Sequence, residues 1–173
     1  GDGKGKRILN PVTEVTMDEN SYMEMEMVQI KGVDSTQRMT KADLAAGAKL
    51  IIRERLLTHG DQHAESGFVV NLNGEDSSAN VISRSVAKNN STQVFNAEIN
   101  GNAKCAGHSE CDAIIMDHAK ISAIPKIVAN DIDAALIHEA AIGKIAGEQL
   151  IKLMTLGLTE QEAEAQIVNG FLK

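Results

Sequence analysis

Between Ala48 and Ala140 the sequence is a succession of short apolar runs broken by Gly, Asn, Asp and Ser: "AKLIIRERLL", "GFVVNLNGEDSSANVISRSVA", "TQVFNAEINGNA" and "CDAIIMDHAKISAIPKIVANDIDAALIHEA". The runs are rich in β-branched residues and bounded by turn residues, so they read as strands. No capped helical segment is visible between Ser77 and Ala140. No tight turn joins two clean alternating strands, apart from a possible one at Asn73 and Gly74. The last two runs also resemble each other. "DAIIMDHA" (112–119) matches "DAALIHEA" (133–140) at an offset of 21 residues, and a recurrence of about that length marks a solenoid.

The interior must then be thin, and the composition agrees. Hydrophobic residues are an ordinary 43% of the 173-residue chain, but aromatics are only 2%, with no Trp and one Tyr. A sandwich or bundle of this size leans on aromatics for core volume. Ala, Ile, Val, Leu and seven Met must fill this one. In a parallel β-helix small aliphatics stack in a narrow interior while Asn or Gly takes the corners. A β-sandwich stays open as the alternative at this point.

The two ends differ from the middle. Residues 1–19 are expected to be a flexible segment, 20–145 a β core and 146–173 helical. The opening "GDGKGK" has no starting Met, looks cut from a longer chain, and lacks the spacing and terminal hydroxyl of a phosphate-binding loop. In "YMEMEMVQI" Met23, Met25 and Met27 alternate with Glu24 and Glu26, which predicts a half-buried strand. Such a Met row could bind a soft metal, but Met fills cores readily and no His or Cys joins it. "KIAGEQLIKLMTLG" sets Leu150, Leu153 and Met154 on one helical face and stops at Gly157. "TEQEAEAQIVNGFLK" opens with the capping-box spacing of Thr159 and Glu162, and Ile167, Val168 and Phe171 form its apolar stripe.

Charge and hydropathy exclude two partner classes. A formal net charge of -7 is the wrong sign for general nucleic-acid binding. No apolar run is long enough to span a membrane, and no secretory signal is visible, so a cytoplasmic protein with reduced thiols is expected.

The chemistry must come from five His and two Cys. Cys105, His108 and Cys111 recur at three-residue intervals, a donor set suited to zinc or an iron–sulfur centre. No second cluster supplies a fourth ligand, so buried thiols are the competing reading. His59 and His63 are separated by Gly60 and Asp61, which points to a loop rather than a helix face. His118 follows Asp117, but adjacent strand residues face opposite ways. The same objection applies to His138 and Glu139, which on spacing alone are either ligands or an ordinary strand end.

"ALIHEAAIGKIAGEQLIKLMTLGLTEQEAEAQIVNGFL" resembles the C-terminal signature of the SufB/SufD family of iron–sulfur cluster assembly proteins. His138, Glu139, Ala140, Gly143, Lys144, Ile145, Gln149, Leu150, Ile167, Val168, Gly170 and Phe171 fall into its pattern. "RERLLTHGDQHAE" and "GHSECDAII" look like the middle of the same core domain. The resemblance implies a right-handed parallel β-helix with a C-terminal helical hairpin, in a short form without the family's N-terminal helical domain. It implies a scaffold rather than an enzyme, paired as a homodimer or a SufB/SufD-type heterodimer. Its partner would be a SufC-like ABC-type ATPase docked on the helices through Gln149, Leu150, Ile167, Val168 and Phe171. A transient iron–sulfur cluster or iron would be held at the dimer interface by His138 and Glu139, with Cys111 a possible third ligand. One departure matters. The family's sulfur-accepting cysteine lies six residues before a proline, here Pro125, and that position is Ala119. A purely structural, metal-free SufD-like subunit is therefore the alternative. A carbohydrate-active β-helix enzyme would need aromatic sugar platforms, which three Phe and one Tyr cannot build.

Overall fold

The apolar runs alternate between two sheets. In the computed structural model, which describes residues 5–173, β3 (Tyr22–Gln29), β5 (Lys49–Thr58), β7 (Ser78–Ala87), β9 (Ala106–Ile115) and β11 (Ala135–Gly143) form one five-stranded sheet. The other sheet holds β1 (Ile8–Leu9), β2 (Val12–Met17), β4 (Ser35–Leu44), β6 (His63–Leu72), β8 (Thr92–Gly101) and β10 (Lys120–Ala129). Every pairing is parallel, and consecutive strands change sheet from β2 onward, so the chain winds as a β-solenoid of about five coils.

Most of the sequence reading stands, with two corrections. Residues 8–9 and 12–17, read as flexible, are strands paired with β4. Residues 1–4 of that segment lie outside the described residues. The coil length also differs. Ser66 pairs with Phe95 and Ser83 with Cys111, so one coil takes 29 or 28 residues, not 21. Segments 112–119 and 133–140 do run into neighbouring parallel strands of one sheet, but Asp112 pairs with Ala141, whereas Asp133 sits in a corner. The 21-residue match is a likeness of composition across different parts of the coil.

Alternation in each strand sets the interior. Leu50, Ile52, Val81 and Cys111 from one sheet meet Leu44, Phe68, Val70, Leu72, Phe95 and Ile99 from the other. Fully burying one such side chain contributes about 1.5–3 kcal/mol. The two interior phenylalanines, Phe68 and Phe95, pack with ring centroids 5.7 Å apart and planes tilted by 45°. The Met row behaves as core strand in part: Met25 and Met27 pack on this cluster, Met23 is exposed, and Glu24 and Glu26 face outward to Arg53 and Arg55 at 3.0 Å.

Corners of four or five residues reverse the chain, and their polar residues stack from coil to coil. Gly60, Asn89 and Asp117 each take a left-handed conformation at equivalent corners, which Gly, Asn and Asp tolerate best. The Asn89 side chain accepts from the Gly60 N–H at 3.0 Å, and Asp117 accepts from the Asn89 N–H at 2.9 Å. Along another edge Asn130 donates to Asn102 and Asn102 to Asn73, at 2.7 and 2.8 Å. Asn73 and Gly74 make a corner rather than a hairpin. A Cβ on Gly74 would sit 2.0 Å from the Ala46 backbone nitrogen, so only glycine fits.

Two helices follow, α1 (Gly147–Thr155) and α2 (Glu160–Phe171), within a residue or so of the expected boundaries. The Thr159–Glu162 capping box is formed in both directions. Val168 of α2 packs on Val86 and Met116 of the solenoid, with Phe171 and Leu172 beside it. None of the residues of α1 is buried. No helix is long and apolar enough to cross a membrane among the described residues.

Candidate metal centre at the last coil

Strand β11 is the edge of its sheet, and β9 pairs with it on one side only. Its partner across the coil, β10, is the edge of the other sheet. The end of the solenoid is therefore open. Inward positions that are sealed in earlier coils are accessible here, with Ile127 41% and Ile142 40% exposed.

On the inner side of this end lies His138. Its register partner is Ser109, and the Ser109 hydroxyl and His138 Nδ1 are 2.9 Å apart. Nε2 is buried and has no hydrogen-bond partner among the described residues. Burial, then the neighbouring His108, holds this imidazole below its usual range. His138 is thus biased toward the neutral form, whose lone pair can ligate a metal.

Glu139 faces the other way. On the outer side its carboxylate Oε2 is 3.1 Å from His108 Nε2. Glu139 also pairs in register with Glu110, and one ligand atom from each of His108, Glu110 and Glu139 lies within 4.8 Å of the others. His108 Nδ1 is fixed by the Asn80 side-chain oxygen at 3.0 Å. Burial is the main cause pushing the Glu110 carboxyl upward, followed by its hydrogen bond to Asp112, while His108 and Arg84 oppose the shift. The sequence-predicted His138–Glu139 pair is therefore split between two faces of one strand, and Glu139 joins His108 instead.

The cysteines go elsewhere. Residues 105, 108 and 111 alternate around a strand of period two, so the three-residue spacing disperses them. His108 points out, Cys111 points in, and Cys105 sits in the corner before β9. Cys111 is 1% exposed, and burial, then Glu54 and Asp112, pushes its thiol up to about 12. Burial raises the Cys105 thiol as well. Both are free, and neither shares a donor cluster with His108 among the described residues. Ala119, at the position of the absent cysteine, is buried in the corner between β9 and β10.

The remaining histidines stand apart from the last coil. His59 lies in an exposed corner, His63 contacts the Thr92 hydroxyl at 2.7 Å, and Asp117 caps Asn89 rather than orienting His118. Sequence reasoning missed Glu110, which the alternation His108, Glu110, Asp112 would have placed beside His108 had the register to β11 been known. It also missed an interior polar knot. Glu54, fully buried, accepts from Ser66 at 2.5 Å and Ser83 at 2.8 Å, with Arg38 at 3.5 Å. Ser83 separates Glu54 from Cys111 in the ladder.

Among the residues named for partner binding, Val168 is covered by the solenoid, Leu150, Ile167 and Phe171 are half-buried, and Gln149 is exposed.

Comparison with known proteins gives the fold and site a context. The family description "SUF system FeS cluster assembly, SufBD core domain" matches residues 4–171. An iron–sulfur cluster assembly SufBD family protein of Methanocaldococcus jannaschii is 32% identical over 170 residues, covering 97% of this chain and 54% of the relative. One from Archaeoglobus fulgidus is 31% identical over 167 residues, covering 95% and 45%. One from Pyrococcus horikoshii is 38% identical over 120 residues, covering 68% and 27%. The chain thus spans about half the length, or less, of these relatives. With a core-domain match over nearly its whole length, on a parallel solenoid ending in two helices, the chain belongs to the SufBD family of iron–sulfur cluster assembly proteins.

Proposed function

We propose that this chain is a scaffold subunit on which an iron–sulfur cluster is built and released, and that it catalyses no reaction by itself. The reading rests on one observation above the others. The solenoid ends in an open edge, and a neutral-biased histidine on that edge, His138, has a buried Nε2 without a partner among the described residues. Open edges invite strand pairing with a second chain. A homodimer, or a heterodimer with a related β-helix subunit, would bring two last coils together and bury the exposed Ile127 and Ile142. In a two-fold pair each subunit contributes the same groups, so His138 would enter the interface twice. Iron or a labile cluster is the cargo of such a site, held by few and mixed ligands so that it can leave.

The second partner in this reading is a SufC-like ABC-type ATPase bound to the helical segment, whose α1 leaves Ile151 and Met154 exposed. The reading also puts the work in the cytoplasm, in keeping with two unpaired cysteines. Neither nucleic acid nor membrane enters it.

Anaerobic reconstitution with iron and sulfide tests the scaffold role. The expected result is bound iron and acid-labile sulfide in the paired species, lowered by His138→Ala. A paired species that takes up neither would turn the reading into its alternative, a SufD-like subunit that pairs and docks the ATPase without metal. Ala119 and the protonated, enclosed thiol of Cys111 favour that alternative.

A further inference from the structure

We propose that the outer face of the last coil carries a second, separate site, in which His108, Glu110 and Glu139 bind one divalent cation of the Fe2+, Mn2+ or Zn2+ class. The site does not depend on cluster assembly, because it lies on the side of β11 opposite His138.

The geometry around His108 carries the inference. The Asn80 side-chain oxygen lies 3.0 Å from His108 Nδ1 and accepts from the ring in its Nδ1-protonated tautomer. The other nitrogen, Nε2, then presents its lone pair to the Glu139 carboxylate oxygen 3.1 Å away. A lone pair and a carboxylate repel unless a proton or a metal ion lies between them. Two ligands bound at about 2.1 Å stand about 3.0 Å apart around a six-coordinate ion and about 3.4 Å apart around a tetrahedral one, and the 3.1 Å found here lies between the two. Glu110 brings a second carboxylate to the same place, within the 4.8 Å that encloses all three donor atoms. Two negative charges and one imidazole are better neutralised by a divalent ion than by a single proton. The Nδ1 contact to Asn80 is the outer-shell arrangement that metal-bound histidines use to fix their tautomer. One imidazole and two carboxylates suit borderline or hard divalent ions and not Cu(I), which prefers sulfur.

The site also has a structural consequence. His108 and Glu110 belong to β9 and Glu139 to the edge strand β11, so a bound ion clips the last strand to its neighbour. It acts from outside the solenoid and leaves the inward edge free.

The experiment uses the full chain, stripped with a chelator and titrated with Zn2+ by calorimetry and with Co2+ by visible absorption. The expected result is one saturable ion per chain, a Co2+ spectrum without thiolate charge transfer, and a higher Tm with Zn2+. His108→Gln and Glu110→Gln should each weaken binding at least tenfold and abolish the Tm shift, whereas Cys105→Ser and Cys111→Ser should not. Asn80→Ala, which removes a positioning contact, should weaken binding by about tenfold. Should His108→Gln fail to fold, Glu139→Gln at the exposed edge makes the same test. No saturable binding by the wild type would show that His108 and Glu139 form a proton-mediated ion pair only, and the proposal would fall. Binding unaffected by these substitutions would place the metal elsewhere and overturn it equally.

Discussion

His138 and Glu139 are neighbours in the chain, yet one side chain contacts Ser109 inside the solenoid and the other contacts His108 outside it. The pleat of β11 separates them, so a single substitution addresses one face at a time. His138→Ala removes a hydrogen bond whose net worth is about 1 kcal/mol, and its other nitrogen has no partner to lose among the described residues. It should therefore lower reconstituted iron while shifting a urea-unfolding midpoint only slightly. Glu139→Gln should leave acid-labile sulfide unchanged in the same assay, because the outer site it belongs to holds an ion without sulfide. A loss of 2 kcal/mol or more in His138→Ala, with iron unchanged, would make that histidine structural.

The buried Glu54 makes stability depend on pH. Burial raises its carboxyl above the ordinary glutamate value, outweighing Ser66, Ser83 and Arg38, which lower it. The folded chain then holds this proton more tightly than the unfolded chain. Its stabilising effect is full below the ordinary value and is lost as pH rises through the folded value. Wild type should gain stability relative to Glu54→Gln as pH falls from 8 toward 5, measured by urea unfolding at several pH values. Parallel curves for the two proteins would show that Glu54 is ionised throughout.

The thiols give a kinetic test. Cys111 is enclosed and its thiol is pushed up to about 12, so it carries almost no thiolate at neutral pH. A disulfide reagent at pH 8 should label Cys111 only as fast as the solenoid opens, and quickly in denaturant. Fast labelling of the native protein would indicate that the last coil opens readily and exposes the column from Glu54 to Cys111.

Much of this architecture was legible in the sequence because the solenoid is built from local rules. Period-two alternation in "YMEMEMVQI", Asn and Gly at corners, the lack of aromatics and the Thr159 capping box each act within a few residues. Register is not local. The pairing of Ser109 with His138 and of Glu110 with Glu139 depends on the length of a whole coil. The likeness of 112–119 to 133–140 pointed to 21 residues, and the stacked strands set 28 or 29. Without that length the sequence could suggest His138, Glu139 and the Cys105–His108–Cys111 series as ligands, but not which of them meet. Glu110 and Glu54 escaped notice for the same reason: an acidic residue in a strand reads as a solvated face until its register neighbours are known. The strands at residues 8–17 escaped because β1 is only two residues long and gains its partner in β4.

The two helices should separate under mutation, because they bury different amounts of apolar surface. Val168 of α2 is buried in one cluster with Val86 and Met116, so Val168→Ala should cost about 2 kcal/mol, as comparable core truncations do. Thr159→Ala removes the half of the capping box that the Thr159 hydroxyl accepts, while the residue 159 N–H still donates to Glu162, and should cost about 1 kcal/mol. Deleting residues from Thr159 onward would therefore uncover Val86 and Met116, and any loss of ATPase binding in such a truncation would be mixed with loss of stability. The exposed face of α1 gives a cleaner test, with Ile151 62% and Met154 43% exposed. Ile151→Glu with Met154→Glu should abolish co-purification with a SufC-like ATPase and leave Tm within a few degrees of wild type. If the double variant still binds the ATPase, docking lies off this face. If it unfolds instead, α1 contributes more to the fold than its exposure implies.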